Sequence, residues 1–218
     1  MSILKKEFWN FIDNRDLKEL TRSVFRAAKN QFRYSVELNK SKRAELLFGE
    51  NAGKKYLIKA QIRFQKRETN LQFAKYSVGN LLRNISENQK KQIGNFFAED
   101  DFKKFIKYSE NTINLRLLKS NMTVDNTKEA INHMNSTLGT LEKINSLDGL
   151  SSYLNKHLSD LIEKKMHNPG PNPFCVLGLI ITSILVILII IAALICAFTF
   201  GLVCEGVLDT LIDQVCSS

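Results

Sequence analysis

The chain has 218 residues, 31 Lys+Arg against 22 Asp+Glu, and a formal net charge of +9. That length admits one main folded domain plus extra segments, and a cysteine-free stretch up to position 174 excludes a disulfide framework there. The average charge hides a partition: every Lys and Arg precedes Phe174, so the first 173 residues carry about +12 and the last 45 about −3.

The opening "MSILKKEFWNFIDNRD" has Lys5, Lys6 and Glu7 where a secretory signal would place its apolar core, so no signal peptide is expected. From Leu17 the apolar residues recur at helical spacing through Leu20, Val24, Ala28, Phe32 and Val36. The opposite face of that helix carries Arg15, Arg22, Arg26, Lys29 and Arg33. This stripe suits an anionic lipid surface, where each nearby cation contributes about 1 kcal/mol, and equally suits a solvated helix face. No aromatic-basic motif accompanies it, so nucleic acid is not an expected partner.

"LLFGENAGKK" breaks the helical pattern, with Gly49 and Gly53 as punctuation. "YLIKAQIRF" alternates with period two, but the apolar positions Leu71, Ala74, Val78, Leu82 and Ile85 predict helix across 54–85. "SENQ" (Ser86 to Gln89) is a capping-box pattern, and a helix with Phe102, Phe105, Ile106, Ile113 and Leu117 follows. "NTKE" (Asn126 to Glu129) reads as a second capping box, opening a seven-residue repeat at Ile131, Met134, Leu138 and Leu141. "NSLDG" interrupts the repeat and "LSSYLNKHLSDLIEKK" resumes it. It is too short for a coiled coil and predicts helices of a packed bundle.

Three prolines then crowd into "HNPGPNPF" (Pro169, Pro171, Pro173), a hinge or an exposed cleavage region. Beyond it, Phe174 to Val203 is 30 residues without a charge. About 20 apolar residues cross a bilayer, and in lipid the backbone must bond to itself, so a helix or a helical hairpin is expected. The stretch includes Phe174, Cys175, Ile184, Ile190 and Cys196, and Cys204 closes it. Lys164 and Lys165 precede it and no cation follows, which by the positive-inside rule leaves the N-terminal part cytoplasmic. The predicted organisation is all-α: a basic helical domain over 1–167, a Pro-rich hinge over 168–173, a transmembrane segment over 174–204 and an acidic tail over 205–218.

All four cysteines lie in the apolar stretch and its tail. Cys175 and Cys196 suit lipid as small apolar residues. Cys204 and Cys216 flank a short segment that an oxidising compartment would let pair. Cys196 and Cys204 share nearly one helix face but stand about 12 Å apart by helical rise, so a bond between them requires a break, which Gly201 permits.

No phosphate loop, metal-ligand cluster or nucleophile elbow is present, and His133, His157 and His167 are isolated. Neither catalysis nor a cofactor is expected.

"RAELLFGENAGKK" (Arg43 to Lys55), with Leu46, Leu47, Phe48 and Gly49, resembles the "LLFGQG" segment near the start of sporulation-delaying toxin precursors, the SDP-type bacteriocins. "FAEDDFKKFIKYSENTINLRLLKSNM" is similar in layout to the helix of their pro-region, and the apolar tail here occupies the place of their toxin. The family's precursors have a signal peptide and a closely spaced cysteine pair; this chain departs from both patterns. The resemblance implies a precursor whose apolar C-terminal segment permeabilises membranes, with the helical region holding it harmless. It implies processing for secretion and a membrane immunity or assembly protein as partner. A second copy of the chain stands beside the bilayer as a further candidate partner. Without the resemblance, the same layout reads as a tail-anchored single-span protein presenting a basic adaptor domain to the cytoplasm.

Overall fold

The computed structural model describes residues 14–98, 100–118, 124–144, 146–163, 186–196 and 207. Among the described residues every regular element is helical. In chain order they are α1 (Arg15–Phe48), α2 (Glu50–Asn84), α3 (Glu87–Ala98), α4 (Asp100–Leu118), α5 (Val124–Leu141) and α6 (Leu147–Glu163), followed by a helical stretch over 186–196.

α1 starts where Asn14, in extended conformation, accepts a 2.9 Å bond from the Leu17 N–H through its Oδ1. This satisfies one of the donors that a helix start leaves open. The helix ends at Gly49, whose φ of 87° an L side chain rarely adopts. Gly49 N–H closes α1 on the Glu45 carbonyl, and its own carbonyl accepts from Ala52 N–H, both at 3.0 Å. A single residue therefore turns α1 into α2. The two run side by side as a hairpin of 34 and 35 residues, each about 50 Å long at 1.5 Å per residue.

Gly53, expected as a break, lies inside α2. It is instead a close-approach position: a Cβ there would collide with the Glu45 side chain. Its carbonyl accepts from Ser41 Oγ at 3.0 Å across the hairpin. The predicted helix over 54–85 is present, "YLIKAQIRF" included.

Ser86 and Gln89 form the expected capping box. Gln89 N–H donates to Ser86 Oγ at 3.3 Å and Ser86 N–H donates to Gln89 Oε1 at 3.0 Å. The second box is corrected. α5 starts at Val124, so Asn126 lies within the first helical turn and not at the cap. The tetrapeptide matches the pattern, but it lies inside the helix.

The helices bury one contiguous apolar cluster. α1 supplies Leu17, Leu20, Val24, Ala27 and Ala28, and α2 supplies Leu71, Ala74, Val78 and Leu81. Phe96, Phe97 and Phe102 meet edge to face, with centroids 4.6–5.9 Å apart, where α3 passes into α4. Met134, Leu138 and Leu141 of α5 join them, as do Leu150, Leu154, Leu158 and Leu161 of α6. The heptad spacing thus reports packed bundle helices, as expected.

The α1 face departs from expectation in its second half. Phe32 is 55% exposed, Val36 is half-buried, and Gln31, Ser35 and Ser41 are buried instead. The apolar face of α1 ends at Ala28, and beyond it small and polar residues face α2. In the distal half of α2 only Gly53 and Ala60 are buried, whereas Arg67, Leu71, Ala74, Ser77, Val78 and Leu81 are buried in the proximal half. The hairpin is embedded at its base and projects as a two-helix arm.

Candidate functional site

"VILIIIAALIC" (186–196) is helical although Val and Ile favour strands in water. Each of its residues is at most 2% exposed, and all belong to the same cluster as the amphipathic faces of the other helices. Eleven consecutive residues turn through three full helical turns. A helix buried over that whole circumference is enclosed by protein on every side, unlike a surface helix with one apolar stripe. Burying its Val, Leu and Ile side chains contributes about 12–24 kcal/mol by transfer, at 1.5–3 kcal/mol each. That figure is an upper bound against an extended reference chain. Only another apolar medium offsets the loss of such a core.

The described stretch rises about 16 Å, roughly half the thickness of a bilayer's hydrocarbon. Among the described residues no helix is long and apolar enough to cross a membrane. Of the residues expected in the membrane-active segment, Ile190 and Cys196 are buried here. Phe174, Cys175, Ile184 and Cys204 lie outside the described residues, as do Cys216, and with it the Cys204 pairings, and the hinge prolines.

A polar clasp joins three helices of the bundle. Arg67 of α2 is 1% exposed. Its Nη1 donates to Gln31 Oε1 of α1 at 2.9 Å, and its Nη2 donates to the Leu161 carbonyl of α6 at 2.8 Å. The guanidinium lies 4.6 Å over the Phe64 ring, which itself meets Tyr34. Burial pushes the Arg67 pKa down, and Glu68 and Tyr34 act in the opposite sense. A guanidinium stays charged in proteins, so this buried cation is held by neutral acceptors and by the negative end of α6. Lys75 Nζ adds a 2.9 Å bond to Ser159 Oγ, again between α2 and α6. Leu161 lies in the last turn of α6, so the clasp ties α1 and α2 to the C-terminal end of α6. Nothing in the sequence singled Arg67 out; it is one cation among many in a basic helix.

The basic stripe is a continuous surface feature. Arg15, Arg26, Lys29 and Arg33 are exposed, and Arg22 is partly covered and pairs with Glu19 at 3.0 Å. At 100° per residue the five lie within about 60° of arc. An open groove beside Arg15 and Arg26 is lined also by Asp16, Glu19, Phe73, Tyr76 and Asn84, and Asn84 Nδ2 donates to Asp16 Oδ2 across it at 2.7 Å. Among the described residues no group of three potential metal ligands occurs.

The motif residues Leu46, Leu47, Phe48 and Gly49 form the tip of the hairpin arm. They lie at the end of the arm, with Leu46, Leu47 and Phe48 exposed, and not in the core that encloses 186–196. No protein-family model, curated protein or solved structure matches this chain.

Proposed function

We propose that this chain is a membrane-active toxin precursor of the bacteriocin kind. Its C-terminal apolar segment inserts into and permeabilises a lipid bilayer, and its helical domain sheathes that segment until release. The observation that carries the reading is the burial of residues 186–196 inside the core that the amphipathic helices build. A tail anchor has no need of such a sheath, because it remains in lipid while its domain folds apart from it. A segment destined for a second membrane must first survive water, where eleven enclosed apolar residues cost nothing in exposure. The amphipathic helices suit a reversible sheath, since their polar faces already meet solvent.

The test compares a peptide of residues 174–218 with the full chain on dye-loaded liposomes. The peptide should release dye at once, because an uncharged span partitions into any bilayer it meets. The intact chain should release it at least tenfold more slowly. A peptide that binds fully to the liposomes without leakage overturns the toxin reading and leaves the tail anchor, since a single apolar helix satisfies its own backbone and lines no pore.

A further inference from the structure

The hairpin tip carries an exposed apolar group that the sheath does not use. Leu46, Leu47 and Phe48 are 85%, 72% and 78% exposed. Consecutive helix positions lie 100° apart, so the three side chains fan over about 200°. A protein groove receives one stripe at i, i+3 and i+4; a fan of this width is covered only by a medium that closes around it.

Charge is arranged behind the fan at a set depth. Lys42 and Arg43 of α1, and Lys54, Lys55 and Lys59 of α2, are exposed. Helical rise places them about 8–15 Å behind Gly49, and the apolar three within about 5 Å of it. An element buried about 5–10 Å at the acyl boundary puts its flanking cations level with the headgroups. Tyr56 stands at that level too, with Lys55 Nζ 4.9 Å and Lys59 Nζ 6.0 Å from its ring centroid, and tyrosine is enriched at membrane interfaces. Glu45 and Glu50 are the acids of the tip; Glu50, beside Gly49, keeps insertion shallow. The single-residue turn and the Ser41–Gly53 bond make the arm rigid enough to present the tip.

We propose that the α1–α2 tip is a second, independent membrane contact, which docks the folded chain on anionic lipid by inserting Leu46, Leu47 and Phe48 while the cations behind them meet headgroup phosphates. This goes beyond the release of the apolar segment: the arm binds while the sheath is still closed.

The full chain carrying Trp9→Phe and Phe48→Trp has its single indole at the tip and reports on the tip alone. Vesicles of phosphatidylglycerol and phosphatidylcholine, brominated high on the acyl chain, should shift the emission of that indole to the blue and quench it. Pure phosphatidylcholine vesicles should do so far less, and 0.5 M salt should weaken the effect. Leu46→Ser with Leu47→Ser and Phe48→Ser should weaken vesicle binding at least tenfold, about 1.4 kcal/mol, with an unchanged thermal melt because the three sites are exposed. Vesicle-bound protein whose tip indole still emits as in water overturns the proposal, as does a triple variant that binds as wild type. Dye release from the same vesicles by the 174–218 peptide separates the two readings: tip quenching in the full chain with no release by the bound peptide keeps the docking tip and removes the toxin, and peptide release without tip quenching does the reverse.

Discussion

Replacing Ile190 by Ala measures how firmly the apolar segment is enclosed. Ile190 is 0% exposed, in the middle of the 186–196 helix. The substitution removes three carbons from a site with protein on all sides, and such core truncations cost about 2–5 kcal/mol. In a chain of this size each kcal/mol lowers the melting temperature by about 2–4 °C, so calorimetry of the full chain in water should show a fall of about 4–20 °C. Ile58→Ala supplies the contrast. Ile58 is 58% exposed on the arm, and its loss should stay within about 0.5 kcal/mol. If Ile190→Ala melts within about 2 °C of wild type, the segment contributes nothing to the core and the sheath does not exist.

Other perturbations probe the bundle from different sides. Arg67→Met keeps the volume but leaves Gln31 Oε1 and the Leu161 carbonyl without their donor, and should cost about 1–3 kcal/mol. Gln31→Leu in that background should cost less than it does alone, and a double-mutant cycle with zero coupling refutes the clasp. Alkaline pH should loosen the contact between α5 and α6. The Tyr153 hydroxyl donates to the Thr137 carbonyl at 3.0 Å, and burial pushes its pKa up to about 12 from an ordinary 10.0. A raised phenol contributes stability that is intact below pH 10 and is lost as the pH rises toward 12. Melts across that window should fall more steeply for wild type than for Tyr153→Phe, and equal slopes contradict the assignment.

The helices were legible because their signals are local. Periodic Leu and Ile positions and the Ser86–Gln89 box act within a few residues, and α2, α3, α4 and α6 follow them. Expectation and structure part where a local pattern meets a tertiary demand. Phe32 and Val36 continue the period of α1, yet Phe32 is exposed and Val36 half-buried, and the packed positions pass to Gln31 and Ser35. Gly53 reads as a breaker by composition but serves a crossing with Glu45 that only the folded hairpin reveals. Asn126 fits a cap whose helix begins two residues earlier. For the site, the uncharged run was plain from residue 174 onward, and its value as an apolar segment needs only composition. That 186–196 shares a core with Leu17 and Leu161 was invisible, because hydropathy cannot tell lipid from a protein interior. Arg67 was equally hidden, since its partners Gln31 and Leu161 lie 36 and 94 residues away.

The rate of dye release by the intact chain, measured for Leu158→Ala against wild type, tests most directly whether the helical domain restrains a membrane-active segment. Leu158 lies in α6, is 0% exposed and belongs to the enclosing cluster, outside the segment itself. Its truncation costs about 2 kcal/mol or more, which raises the population of an opened sheath roughly 30-fold at 1.4 kcal/mol per factor of ten. The account predicts faster release of similar order from anionic liposomes at equal bound protein. Release that is unchanged or slower in the less stable variant contradicts it, because a domain that restrains nothing has nothing to let go.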